Sequence, residues 1–214
     1  MTFVNLKKRE VQIKIVYYGP GRGGKTTNLL YLYEKFRSRI KAEMVAIKTH
    51  GDRTLFFDFI PFDVGRINGF EVKVQLYTVP GQIKYNATRR LVLRGVDGVV
   101  FVADSLVVRR KNNLLSLKNL QENLSSYGKS IFQVPLVMQY NKRDLEKEGI
   151  PILPLQTMEK DLNTKLRVPS FGASAITGEN VVQTLKKIIL LTLEPLKKEM
   201  KKETTNCRNK NMAL

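Results

Sequence analysis

Cysteine is almost missing from this 214-residue sequence: Cys207, close to the C-terminal end, is the only one. An internal disulfide framework is excluded, no thiol pair exists for a zinc site, and a reducing, cytoplasmic setting is expected. Long apolar runs are missing too. No stretch reaches the roughly eighteen apolar residues that a spanning helix needs, and the N-terminus meets LKKRE before a signal-peptide core can form. The expectation is a protein that is neither secreted nor membrane-spanning. Acidic residues are scarce: 19 Asp and Glu face 37 Lys and Arg, for a formal net charge of +18 and an isoelectric point near 10.0. Such an excess raises nucleic acid, anionic lipid and acidic proteins as partners. No zinc-finger spacing or RNP pattern accompanies it, so a solvated basic surface is expected rather than a nucleic-acid site. Part of the excess lies in the tail LKKEMKKETTNCRNKNMAL, residues 196–214. Its lysines allow weak peripheral contact with anionic membrane, about 1 kcal/mol each near the surface. Neither Cys207 nor the MTF start fits a lipidation signal.

Apolar residues at 43% and charged residues at 26% are ordinary for a globular chain. The length suits one α/β domain, placed at 1–195, ahead of that basic tail. Strand-like EVQIKIVYY (10–18) is followed by a helical pattern over 25–40, with Leu29, Leu30, Tyr33 and Phe36 at helical spacing. TLFFDFIPFDVG and FEVKVQLYTV read as two strands joined at RING, where Asn68-Gly69 is a hairpin signal. A basic segment QIKYNATRRLVLRG precedes the apolar strand GVVFVAD (98–104), a helix over 110–127 and the buried-type strand VPLVMQYNKRD. LPLQTMEKDLNTKL predicts a helix, VPSFGASA a last strand, and GENVVQTLKKIILLTLEPLKKEM a final amphipathic helix. This alternation implies a mostly parallel sheet covered on both faces, with one antiparallel strand from the hairpin. Ligands of such sheets bind beyond the carboxyl ends of the strands.

The first loop there, GPGRGGKT at 19–26, fits G-x-x-x-x-G-K-[ST] completely, between a strand and a helix. Gly19, Gly21, Gly23 and Gly24 let successive N–H groups point at phosphate oxygens, and the helix N-terminus adds its positive end. Lys25 can reach the β and γ phosphates, and the Thr26 hydroxyl can ligate Mg2+. Arg22 belongs to the same loop, with a side chain expected to face solvent. NKRD at 141–144 ends a buried strand. A carboxylate at Asp144 can accept from N1–H and the 2-amino group of guanine, donors that adenine does not present in that arrangement. Asn141 can brace the loop, the Lys142 stem can lie along the base, and ASA at 173–175 can offer the Ser174 and Ala175 N–H groups to O6. Together with a phosphate loop roughly 120 residues upstream, these motifs point to GTP and GDP.

The set GPGRGGKT, TVPGQ, NKRD and ASA resembles the Ras-like small GTPases. The fuller text KIVYYGPGRGGKTTNL, RTLFFDFIPFDVG and LYTVPGQIKYNATRRLVLRGVDGVVFVADS is similar to one bacterial branch, the mutual gliding-motility protein A (MglA) family, over roughly 10–190. The resemblance implies a three-layer α/β/α P-loop NTPase, the small GTPase G domain, with a mostly parallel six-stranded sheet carrying one antiparallel strand. It also implies a nucleotide-dependent switch for cell polarity and gliding motility. Thr27 and Gly81 join the nucleotide-contacting set, Gln82 orients the attacking water, and Arg53 acts as an arginine finger in cis. Thr54 is the candidate switch threonine, holding Mg2+ with Thr26. The implied partners are polarity effectors and a dimeric roadblock/LC7-type activating protein, MglB-like, with recruitment to a cell pole. The GTPase itself is expected to be monomeric, with the helix over 83–94 facing the partner.

Most switch proteins place a metal-coordinating aspartate where this chain has Thr78, and the branch is built with that threonine. Thr78 can hydrogen-bond a metal water and Asp58 can restore the charge; each can equally be a packing or exposed strand position. Two other classes compete. A P-loop nucleotide kinase leaves NKRD and ASA unexplained, and a GTP-binding scaffold that no longer hydrolyses predicts GTP unchanged even with a partner.

Overall fold

The computed structural model describes residues 3–5, 8–39, 45–49, 53–67 and 69–195, and for 3–4, 39, 45–49, 53–62, 64, 67 and 83 the backbone alone. The tail with Cys207, and Asn68 of the hairpin, lie outside the described residues.

Strand β2 (Glu10–Tyr18) buries Val11, Ile13 and Ile15 on one face and becomes buried on both from Ile15 onward. Its chemistry dictates this: the polar Gln12 and Lys14 alternate with apolar residues only in the first half. Strands β6 (Gly98–Asp104) and β7 (Leu136–Asn141) are buried throughout, as continuous apolar runs inside a parallel sheet should be. The strand order is β3-β4-β5-β2-β6-β7-β8, with β3 at Val45–Thr49, β4 at Arg53–Ile67, β5 at Phe70–Thr78 and β8 at Ser170–Gly172. β5, β2, β6, β7 and β8 run parallel, and β4 is antiparallel to β5. The expected six-stranded core is therefore present. Two short antiparallel strands extend it, β1 (Phe3–Asn5) on β2 and β3 on β4.

Helices α1 (Lys25–Lys35) and α5 (181–195) cover one face, where Leu29, Leu32, Leu185 and Ile188 meet Ile13, Ile15 and Val74. On the other face α2 (Asn86–Leu93), α3 (Arg110–Ser125) and α4 (Leu155–Leu162) bring Leu93, Leu120 and Met158 onto Val16, Phe101 and Met138. Each fully buried Leu, Ile or Phe contributes about 1.5–3 kcal/mol. The result is the three-layer α/β/α G-domain fold.

Several boundaries differ from the sequence expectation, among them α4, which covers only Leu155–Leu162 of the expected LPLQTMEKDLNTKL. α1 stops at Lys35 rather than Ile40, because Phe36 leaves helical geometry and Arg37–Arg39 tighten into a 3-10 turn. α3 ends at Ser125 rather than 127, closed by the Ser126 amide on the Glu122 carbonyl. The last strand keeps only Ser170–Gly172, since beyond Ala173 the backbone amides turn to other acceptors. No described helix is long and apolar enough to cross a membrane.

Candidate functional site

The carboxyl ends of β2, β5 and β7 open onto one cleft of about 520 Å3. Its floor is the loop after β2. Gly19 (φ 148°) passes so close to β6 that a Cβ there would lie 2.2 Å from the Val102 carbonyl oxygen. Gly24 (φ 95°) is left-handed just before α1, and its added Cβ would fall 2.1 Å from Nδ2 of Asn141. Only glycine fits both demands. No acidic side chain occupies the first turn of α1 and no side chain caps it, so the helix N-terminus favours an anion. Lys25 is 6% exposed, and its ammonium donates to the Pro20 carbonyl at 2.7 Å and the Gly19 carbonyl at 3.2 Å. Thr26 and Thr27 line the cleft beside it, while Arg22 lines the rim with an exposed side chain and positive φ.

The far wall is the loop after β7. Asn141 is buried and bridges three loops: its Nδ2 donates to the Gly23 carbonyl at 2.8 Å, its Oδ1 accepts from the Ala175 amide at 2.8 Å, and its carbonyl accepts from Ser105 at 3.0 Å. Lys142 takes a left-handed conformation (φ 72°) and donates from Nζ to Oδ2 of the fully buried Asp104 at 2.7 Å. That ion pair fixes the aliphatic stem along the cleft wall. Asp144 also lines the cleft, and its Oδ1 is buried with no hydrogen-bond partner. A buried carboxylate oxygen without a partner, in a residue that lines the cleft, leaves acceptor capacity for a ligand's donors. Ala175 lines the cleft, whereas Ser174 is fully buried and donates its amide to the Glu179 carbonyl at 3.1 Å. The expected pair of free N–H groups for O6 is thus not offered: both amides have acceptors within the protein, and only Ala175 reaches the cleft wall.

The third wall follows β5. Thr78 is fully buried opposite Tyr17, and the next residue, Val79, lines the cleft. Gly81 lies directly on Gly21; a Cβ on Gly81 would be 2.2 Å from the Gly21 Cα. Gln82 and Tyr85 face the cavity from this side. Arg53, Thr54 and Asp58 have described backbones in β4, opposite Thr49, Lys48 and Ala46 of β3, and their side chains lie outside the described residues. For a metal, the Thr26 hydroxyl is an oxygen donor of the hard type that Mg2+ takes, and it sits where phosphates would sit. No cluster of three or more His, Cys, Asp or Glu side chains is available among the described residues. The donor set fits an ion held largely by hydroxyl, substrate and water oxygens.

The Ras family model matches residues 14–194 of this chain. The chain belongs to the Ras family. It is 48% identical over 198 residues to mutual gliding-motility protein MglA of Myxococcus xanthus, covering 92% of this chain and 99% of that protein. It is 25% identical to ADP-ribosylation factor-like protein 2 of Arabidopsis thaliana, covering 83% of this chain and 86% of that protein. With human ADP-ribosylation factor-like protein 4C it shares 27% identity, over 85% and 88% of the two chains. This is an MglA-like, Ras-family small GTPase.

Three residues of this GTPase site are not evident from its motifs. Asp104 ends β6 at the same sheet edge as the other motifs and anchors Lys142; strand-end position is the signal that points to it. Arg109 donates from Nη2 to the Gly21 carbonyl at 2.6 Å and lies 3.7 Å from Asp104. Arg89 of α2 is fully buried beneath the same loops. One arginine among many in a basic segment carries no mark of burial.

Proposed function

We propose that this MglA-like GTPase binds GTP and GDP with Mg2+, hydrolyses GTP and acts as a nucleotide-dependent switch for cell polarity and gliding motility, stimulated by a roadblock-type activating dimer. The observation that carries the guanine reading is that Asp144, whose Oδ1 has no partner, lines the same cleft as Lys25, Thr26 and Gln82. The carboxylate accepts from N1–H and the 2-amino group, Lys142 covers the base, and Asn141 keeps this wall on the phosphate loop. Gly19, Gly21, Arg22, Gly23, Gly24, Thr27 and Gly81 surround the phosphates, with Lys25 as their cation. Magnesium, where bound, neutralises phosphate charge; Thr26 and Thr54 are the residues that would hold it. Gln82 orients the attacking water, and Arg53 meets charge developing on the transferring phosphoryl, an effect worth roughly 10³ to 10⁵ in rate.

Loss of the γ-phosphate releases the loops around Thr54 and Gln82, and partners read the difference. The motility output rests on the similarity to the Myxococcus xanthus protein. The GTPase is monomeric alone and cytoplasmic, is recruited to a pole by its partners, and touches anionic membrane at most weakly through residues 196–214. Single-turnover hydrolysis with magnesium tests this in wild type, Arg53→Ala and Gln82→Leu, each with and without a roadblock-type partner from the same genome. Partner-stimulated turnover that collapses in both variants is expected. Tight GTP binding with no turnover in any condition would instead make the protein a scaffold, with Thr78 as the mark of lost chemistry.

A further inference from the structure

Arg89 is a buried cation with no anionic partner among the described residues. It is fully enclosed. Burying a guanidinium is costly unless every donor is met. Here the acceptors are neutral and come from four places. Nη1 donates to the carbonyls of Pro80 and Gly81 at 3.0 Å each, with the Gly19 carbonyl at 3.5 Å. Nε donates to the Tyr18 hydroxyl at 3.0 Å, and Nη2 to Oγ of Ser116 at 3.0 Å. The guanidinium carbon also stands 4.2 Å from the Tyr18 ring centroid, within cation–π range. Burial raises the Tyr18 pKa above its ordinary value, so this hydroxyl stays neutral.

Helix α3 is built around the same group. Its inward face carries Asn113, Ser116, Asn119 and Asn123, all buried, while Leu114 and Leu115 are 42% and 43% exposed. The inward face is thus mixed, a polar strip beside the buried Leu120 and Leu124, where ordinary amphipathic patterning would make it apolar. The polar face has work to do inside: Tyr18 donates to Asn119 at 2.7 Å, and Asn123 donates to the Tyr18 hydroxyl at 3.0 Å and to Asn86 of α2 at 2.8 Å. A satisfied network of this kind holds its members in one arrangement, because each partner lost strands another buried polar group.

We propose that Arg89 is a positioning residue for GTP hydrolysis, pinning the Pro80 and Gly81 carbonyls against the Gly19 end of the phosphate loop and so fixing where Gln82 stands. The inference rests on the reading of Gln82 as the water-orienting residue. Gly81 immediately precedes Gln82, and lifting that loop would strip the buried cation of two of its acceptors. The guanidinium fork is essential, since a lysine would retain the charge as a point and cannot serve Tyr18, Ser116 and two carbonyls together.

The test measures GTP affinity, single-turnover hydrolysis of bound GTP, and melting temperature for wild type, Arg89→Lys, Arg89→Met, Tyr18→Phe and Ser116→Ala. Both Arg89 variants should hydrolyse bound GTP at least about tenfold more slowly while the dissociation constant moves by less than about threefold, the pattern of an interaction that matters in the transition state. Tyr18→Phe and Ser116→Ala each remove one anchor and should slow the step by a smaller factor; they decide the matter if the Arg89 variants fail to fold. An unchanged rate per bound GTP with a lower melting temperature, or affinity and rate falling in parallel, would overturn the assignment. If wild type turns GTP over and all variants keep pace, only the role of Arg89 falls. If wild type binds GTP and never consumes it, the hydrolase reading falls as well.

Discussion

Asn141 donates from Nδ2 to the Gly23 carbonyl at 2.8 Å, so the loop that would read the base is tied to the loop that would hold the phosphates. The same amide accepts from Ala175 at 2.8 Å, bringing in the third loop. Asn141→Ala strands a buried carbonyl and a buried N–H, each costing about 1–3 kcal/mol. GDP affinity should fall by roughly tenfold or more at that cost, with a lower melting temperature. Titration calorimetry and thermal melting check both.

Asp144 leads to a prediction about base identity. Its Oδ1 is buried and partnerless, and it lines the cleft. Asp144→Asn replaces one acceptor by a donor, which opposes the donors of guanine and suits the added carbonyl of xanthine. Affinity for GTP should drop by about 1.5–3 kcal/mol, the worth of hydrogen bonds to a charged group, and affinity for xanthosine triphosphate should rise. Competition binding with the two nucleotides reads the exchange, and equal loss for both would contradict it.

Gly81 and Gly21 touch, but unequally. A Cβ on Gly81 would lie 2.2 Å from the Gly21 Cα and 2.5 Å from its nitrogen, atoms of backbone that cannot step aside. A Cβ on Gly21 would meet nothing closer than 3.5 Å. Gly81→Ala should therefore displace the loop bearing Gln82 and slow hydrolysis at least about tenfold, the loss of one well-placed catalytic interaction. Gly21→Ala should fold and bind GDP nearly as wild type. Stopped-flow phosphate release and melting curves on the two variants separate them.

One charge pair gives a pH dependence. Arg110 donates to both carboxylate oxygens of Asp161, at 2.7 and 2.9 Å, and holds the Asp161 pKa below its ordinary value. A depressed carboxylate contributes stability that is present above its unfolded pKa and is lost as pH falls through the folded one, so the window lies below about pH 4. The melting-temperature gap between wild type and Arg110→Ala should be constant near neutrality and close in acid. The gap should be small and shrink with salt, because Arg110 is exposed.

Much of the fold was legible because the signals were local. β2 and β6 fall where EVQIKIVYY and GVVFVAD predict, since alternation in the first half of β2 and a continuous apolar run in β6 are both strand signals. The phosphate loop and NKRD were legible for a similar reason: each is a contiguous string whose chemistry is in its own side chains and backbone. β1 and β3 were not, being three and five residues long and formed by pairing with a partner strand rather than by pattern. The buried polar strip on α3 was opaque for a different reason. Asn119 and Asn123 find their buried polar partner in the Tyr18 hydroxyl, a contact that spans up to 105 positions of sequence, and Asn113 finds its own in the backbone of Asp104. The commitment of the Ser174 amide depends likewise on the Glu179 carbonyl, which no motif encodes, and that of the Ala175 amide on the Asn141 side chain, a contact between two motifs 34 positions apart.

Phosphate release from purified protein given GTP or ATP with magnesium, followed to a single turnover, tests the central claim most directly. The account predicts that GTP is converted to GDP, that ATP is left intact, and that Gln82→Leu binds GTP without consuming it. Equal consumption of ATP and GTP, or turnover untouched in Gln82→Leu, would contradict it.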